Sequence, residues 1–146
     1  MDRIKLVFPE AAIVHRQPLS VRITDMNYGR HLGHDTLVSL LHEARIQAFG
    51  ALGLTEWDMG GYSSVVADLA VQYQSEARWP DALVVETAIP APTGKAIVVY
   101  HRVCHAEGGR PVATARLNVV LVDPAQGRSV AIPDAVYQAI TGAESA

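Results

Sequence analysis

Leu37, Leu40, Leu41, Ala44, Ala48, Ala51 and Leu52 recur at three- and four-residue spacing, and no other stretch of comparable length repeats that period. The stripe predicts one long α-helix with a single face committed to a core. Every long apolar stretch after "DMGGY" (58–62) alternates with period two instead. Val65, Ala67, Leu69, Val71 and Tyr73 form one set, Leu83, Val85, Thr87 and Ile89 a second, and Ala113, Ala115, Leu117, Val119 and Leu121 a third. That is the period of a strand with one buried face. "AIVVYHRVC" (96–104) is apolar on both faces at several positions, as a central strand is. "PTGK" (92–95) and "EGGR" (107–110) are turns of hairpin length, so these strands are antiparallel neighbours.

Ahead of the helix, Leu19, Val21 and Ile23 alternate with Ser20, Arg22 and Thr24, which predicts one strand starting after Pro18. His34 or Asp35 can cap the helix, Gly53 ends it, and Pro133 to Ile140 has room for a short terminal helix. The expected class is therefore α+β: a five-stranded antiparallel sheet with one long helix on it. With 146 residues, no internal repeat and no linker, the chain reads as one domain over 1–146. One helix hides one face of such a sheet. Apolar positions left over, including Ile46 on the side of the helix opposite the stripe, call for a second copy of the chain.

Net charge is −3 and no stripe of Lys and Arg exists, so nucleic acid and acidic membrane are not the expected partners. Pro9 and Glu10 interrupt "IKLVF", so the start lacks the apolar core of a secretory signal, and no apolar run approaches the roughly 20 residues of a membrane span. A cytoplasmic protein is the expectation. Cys104 is the sole cysteine, which excludes an internal disulfide and a cysteine-based metal cluster; it reads as a buried thiol.

The chemistry-bearing residues concentrate in "DMNYGRHLGHDTLVSLLHEAR" (25–45). Asp25 and Asn27 stand two apart, so on a persisting strand they share a face. The competing reading is that both bond their own backbone as turn-formers. Gly29 and Gly33 let a ligand approach the backbone before the helix, where free N–H groups can bind an oxyanion. His31, His34 and His42 lack the companions of a metal site, and "HEARI" places Ile46 where a metalloprotease needs its second histidine. Neither metal nor cofactor is expected. Glu43 falls about 130° around the helix from the stripe, an exposed position that a neighbouring subunit would convert to a half-buried one with a raised pKa.

Read together, these residues resemble the hotdog-fold acyl-thioesterases, in the 4-hydroxybenzoyl-CoA thioesterase-like branch. Members carry Asp-x-Asp-x-x-Gly-His-Val-x-Asn and then a helix with Glu-x-Ala-Arg; here His31 stands on the family histidine and Ala44-Arg45 on the helix signature. "VVADLAVQYQSEARWPD" (65–81) is similar to the second family segment, at Tyr73, Ala77 and Asp81. The likeness covers about residues 12–135. It implies a sheet wrapped around a central helix, dimers or tetramers with sites at subunit boundaries, and an acyl group on coenzyme A or acyl carrier protein as substrate. One departure stands out: Asn27 replaces the second motif aspartate, and a neutral amide is neither base nor nucleophile. Other hotdog branches place the carboxylate about nine positions after a histidine near the helix start, which from His34 is Glu43.

The expectation is metal-independent thioester hydrolysis. N–H groups around Gly33 to Asp35 polarise the carbonyl, and Glu43, or failing it Asp25, activates water. Asn27 and His31 position water or substrate, while Tyr28, Gly29, Arg30 and His34 border the pocket. The alternative is an acyl-thioester binding protein that has lost hydrolysis with the motif aspartate. A hotdog hydratase would need a longer Asp and His segment, absent here.

Overall fold

The stripe forms α1 (His34–Ala51), and the alternating segments form β1 (Ile13–Ser20), β2 (Ser63–Tyr73), β3 (Ala82–Ala88), β4 (Ala96–His105) and β5 (Pro111–Asp123). β6 (Arg128–Val130) and α2 (Asp134–Thr141) complete the chain. The structure, a computed structural model, describes residues 1–142, so the last four residues of the expected 1–146 span lie outside the described residues. The sheet is antiparallel with order β1-β3-β4-β5-β2, and β6 pairs with the end of β5 that runs past β4. Five expected strands are thus six. The extra one is a three-residue hairpin partner turned back at Gly127, where φ is +63°, and "RSV" is too short to carry a period.

α1 carries the chain across the sheet, from β1 at one edge to β2 at the other. Leu37, Leu41 and Ala44 of α1 pack on Leu83 and Val85 of β3, Val103 of β4, and Ala113 and Ala115 of β5. Farther along, Phe49 joins Met59, Ile97, Val99, Leu117 and Val119. Each large apolar side chain buried this way stabilises by about 1.5–3 kcal/mol. The buried face is rotated from the expected stripe: Phe49 is fully buried while Ala51 is exposed, because the helix end leans on the second cluster.

The first strand differs from expectation. β1 ends at Ser20 and contains Pro18, which an outer strand tolerates because its missing N–H faces no partner. Val21 stays buried, but Ile23–Asp25 then forms a 3-10 turn that leaves Ile23 61% exposed. Asp25 causes the break: its carboxylate accepts the backbone N–H of Arg22 at 2.8 Å, which closes a turn instead of extending a strand. Asp25 and Asn27 therefore do not share a strand face. The helix start is corrected too. The N-cap is Gly33, not His34 or Asp35, and no side chain caps the first turn. At the other end Gly53 takes φ +77° after Leu52, as expected of a C-terminal glycine.

Candidate active site at the start of α1

The segment between the 3-10 turn and α1 is a tight hairpin closed by the Met26–Leu32 bridge. Asn27 builds it: its Oδ1 accepts the N–H of Gly29 at 3.0 Å and of His31 at 3.3 Å, while its own N–H donates to the His31 carbonyl at 2.9 Å. Arg30 sits at the tip in the left-handed region, φ +64°. Two backbone bonds seat the hairpin. Leu32 N–H donates to Ala77 O at 2.7 Å, joining it to the chain after β2, and Gly33 N–H donates to Asp25 O at 3.2 Å.

A cavity of about 400 Å³ opens between this hairpin, the first turn of α1 and the end of β2. Its polar wall holds Asn27, His31, His34, Tyr73 and Glu76, and its apolar floor is Leu32, Leu37, Ala77 and Val112. His31 Nε2 lies 3.0 Å from Glu76 Oε2. The Tyr73 hydroxyl donates to the His34 carbonyl at 2.9 Å. Burial, and then the charge of Asp35, push the Tyr73 phenol pKa up, so that hydroxyl keeps its proton. Gly33 gives α1 no side-chain cap, so the first turn offers the positive end of the helix dipole, with Asp35 the acidic residue in that turn. An acidic oxygen or a developing oxyanion suits that end, and an apolar floor beside it suits an acyl group.

Of the residues singled out by sequence, the structure brings Asn27, His31 and His34 to this cavity, with Gly33 as the buried N-cap behind it. Asp25 lies outside the lining. It is 2% exposed, and Arg22 grips it through Nε at 3.1 Å and Nη2 at 2.9 Å, which holds its carboxyl below the ordinary carboxylate range. Tyr28, Gly29 and Arg30 are exposed at the hairpin tip and line no wall of the cavity. Glu43 is exposed about 13 Å along α1 from His34 and accepts a hydrogen bond from Gln47 Nε2 at 3.2 Å. In one chain it belongs to another surface.

Glu76 escaped sequence reading. It follows β2 in a segment without period, and the Leu32–Ala77 backbone bond that carries it to His31 has no sequence signature. Asp81, noted only for family likeness, accepts the Arg78 N–H at 3.0 Å and shapes the turn before β3. His42, outside this cavity, lies 3.1 Å from Glu56 Oε2, and Arg45 also pairs with Glu56. Among the described residues no group of three His, Cys, Asp or Glu is placed to hold a metal ion, and no helix is long and apolar enough to cross a membrane. Cys104 sits on β4, half-buried, and that burial raises its thiol pKa.

Residues 21–140 match the sequence profile of the thioesterase-like superfamily. No curated protein sequence gives a significant match. Among solved structures, a 1,4-dihydroxy-2-naphthoyl-CoA thioesterase from Synechocystis superposes with TM-score 0.79 at 16% identity, covering 86% of this chain and 93% of that one. 4-Hydroxybenzoyl-CoA thioesterase from Pseudomonas sp. strain CBS-3 gives 0.74 at 20% identity, with 86% and 97% covered. A Staphylococcus aureus protein solved in complex with CoA gives 0.79 at 15% identity, with 89% and 82% covered. At these identities the likeness establishes the fold: an antiparallel sheet and a central helix in the hotdog arrangement.

Proposed function

The chain belongs to the thioesterase-like superfamily, and from that premise we propose that it hydrolyses an acyl thioester of coenzyme A or acyl carrier protein at the start of α1. One observation carries the reading: the cavity there combines an uncapped helix N-terminus with the His31–Glu76 pair, Asn27 and an apolar floor. The thioester carbonyl oxygen faces the first-turn N–H groups, which strengthen their hold as it becomes an oxyanion; such a donor lowers a barrier by about 3 kcal/mol. With Nε2 beside Glu76, the His31 imidazole has Nδ1 left to take a proton from water as the water oxygen attacks the carbonyl carbon. Asn27 Nδ2, the part of that side chain not used by the hairpin, donates to the water. Collapse of the tetrahedral intermediate breaks the C–S bond, and the imidazolium returns its proton to the departing sulfur. The products are a free acid and a thiol.

Glu43 and Asp25 receive no proton in this scheme. Glu43 is away from the cavity, and Asp25 is held ionised against Arg22. The pairing of two copies along β2 would complete the cavity's outer wall, since Tyr73 ends that strand. The neighbour solved with CoA supports coenzyme A as the carrier.

The test follows free-thiol release from a panel of acyl-CoAs. A base at His31 predicts that His31→Gln lowers kcat by about 10²–10⁴-fold. Glu76→Gln should lower it by a smaller factor, and Glu43→Gln should keep wild-type turnover. Loss of turnover in Glu43→Gln with full turnover in His31→Gln would reverse the assignment. Asn27 in place of a carboxylate favours a second reading, a protein that binds acyl thioesters without cleaving them; binding of every panel member with no thiol released would select it.

A further inference from the structure

Glu76 brings its carboxylate to His31 from a stretch with no helix or strand, on a side chain that is 68% exposed. Backbone bonds tie down the peptide groups around it. Gln74 and Ser75 N–H donate to the Val112 carbonyl at 2.8 and 3.2 Å, and the Ala77 carbonyl accepts from Leu32. The Glu76 carbonyl is different. Among the described residues its partners are two side chains of the β4–β5 hairpin, His105 Nε2 at 3.3 Å and Arg110 Nη2 at 3.5 Å. Those two atoms lie 3.1 Å apart, and the His105 N–H donates to the Arg110 carbonyl at 3.0 Å, so the hairpin presents them together. Neither residue lines the cavity.

A guanidinium only donates, while an imidazole nitrogen either donates or accepts. Beside Arg110, a neutral His105 accepts at Nε2 and keeps its proton on Nδ1, which faces Asp81 Oδ2 at 3.9 Å. One Nη2 hydrogen then serves His105 and the other the Glu76 carbonyl. A charged His105 donates to that carbonyl itself. With Arg110 gone, the neutral ring gains the same option by carrying its proton on Nε2. At these lengths each bond is weak, so removing the carbonyl's support takes both side chains. We propose that His105 and Arg110 form a positioning pair for Glu76, fixing the backbone from which its carboxylate meets His31. The inference rests on the thioesterase reading, with His31 as base, and adds two residues from outside the cavity.

The test measures kcat and KM for a cleaved acyl-CoA in single, double and triple variants. His105→Ala and Arg110→Ala should each lower kcat by about two- to threefold, because the other donor remains. Together they should lower it by about tenfold or more, beyond the product of the two, with KM unchanged. In a Glu76→Gln background the same pair should lower kcat no further, since the carboxylate it positions is gone. A general loosening of the loop would act in that background as well. Arg110→Lys keeps a donor and should hold wild-type kcat. A double variant with wild-type kcat, or an equal loss in the Glu76→Gln background, overturns the inference. Should the double variant not fold, Arg110→Ala, at an exposed position, decides by the same comparison. If wild type releases no thiol from any acyl-CoA, hydrolysis itself fails and the pair is read by NMR. Contacts between the Glu76 methylenes and the His31 ring should then be present in wild type and lost in the double variant; contacts retained there overturn the inference.

Discussion

Asp25 and Asn27 are near neighbours with separate tasks. Asn27 spends its side-chain oxygen on the N–H groups of Gly29 and His31 and lines the cavity, so its amide nitrogen is left for the role proposed above. Asp25 is structural, buried against Arg22 and closing the turn that ends the first strand. Spacing pointed to both residues, yet it could not tell a shared strand face from two local turns, because both need the same short polar side chains. Asp25→Ala leaves the Arg22 N–H without its acceptor and should cost about 1–3 kcal/mol, read as a lower urea midpoint at pH 7. The carboxyl is more acidic folded than unfolded, so its contribution is present above the unfolded value of about 3.9 and is lost as pH falls through the folded one. The gap between wild type and variant should accordingly close at low pH. Equal midpoints at pH 7 would remove Asp25 from the fold's supports.

The helix is the element that sequence revealed best, since its stripe had no rival period. Its start was less legible. Gly33 caps it without a side chain, so the usual Ser, Thr, Asp or Asn signal is absent and the nearest polar residues drew the boundary. The proposed oxyanion role of the first turn depends on that lack of a cap. Gly33 has φ −63° and ψ 142°, a conformation open to any residue, so its substitution is a steric matter only. An added Cβ would stand 2.8 Å from Asp35 Oδ1 and 3.3 Å from Thr36 Oγ1. The first is the end of a flexible side chain and can turn aside, at about 0.5–1.5 kcal/mol if it leaves its preferred rotamer. Gly33→Ala should therefore fold with a small shift in urea midpoint while kcat drops about tenfold or more, as the methyl and the displaced carboxylate crowd the oxyanion position. Full activity in this variant would argue against the helix start as the reacting corner. Glu76, set by a backbone bond between distant segments, and β6, three residues long, mark where local pattern stops informing.

At the scale of the whole molecule the sheet has two unlike edges. β1 reads "IVHRQPLS", with a charge and a proline on the open side, the devices that discourage strand addition. β2 reads "SSVVADLAVQY", eleven residues long, and leaves Val65 49%, Val66 42% and Leu69 40% exposed. Such a long apolar edge is a template for another strand. Uncovered apolar positions suggested a second copy from sequence, with Ile46 as the marker. The structure shifts that weight to β2, because Ile46 is already half-buried. Two copies joined along β2 would also carry each partner's chain to the cavity beside Tyr73, so assembly and activity should fail together. Val65→Lys with Ala67→Lys puts like charges on both copies of the edge, at exposed positions that do not line the cavity. Sedimentation equilibrium should give at least a dimer for the wild type and a monomer for the double variant, with unchanged circular dichroism and markedly less thiol release. A monomeric wild type with full turnover would show that one chain suffices, and the edge would then need another explanation.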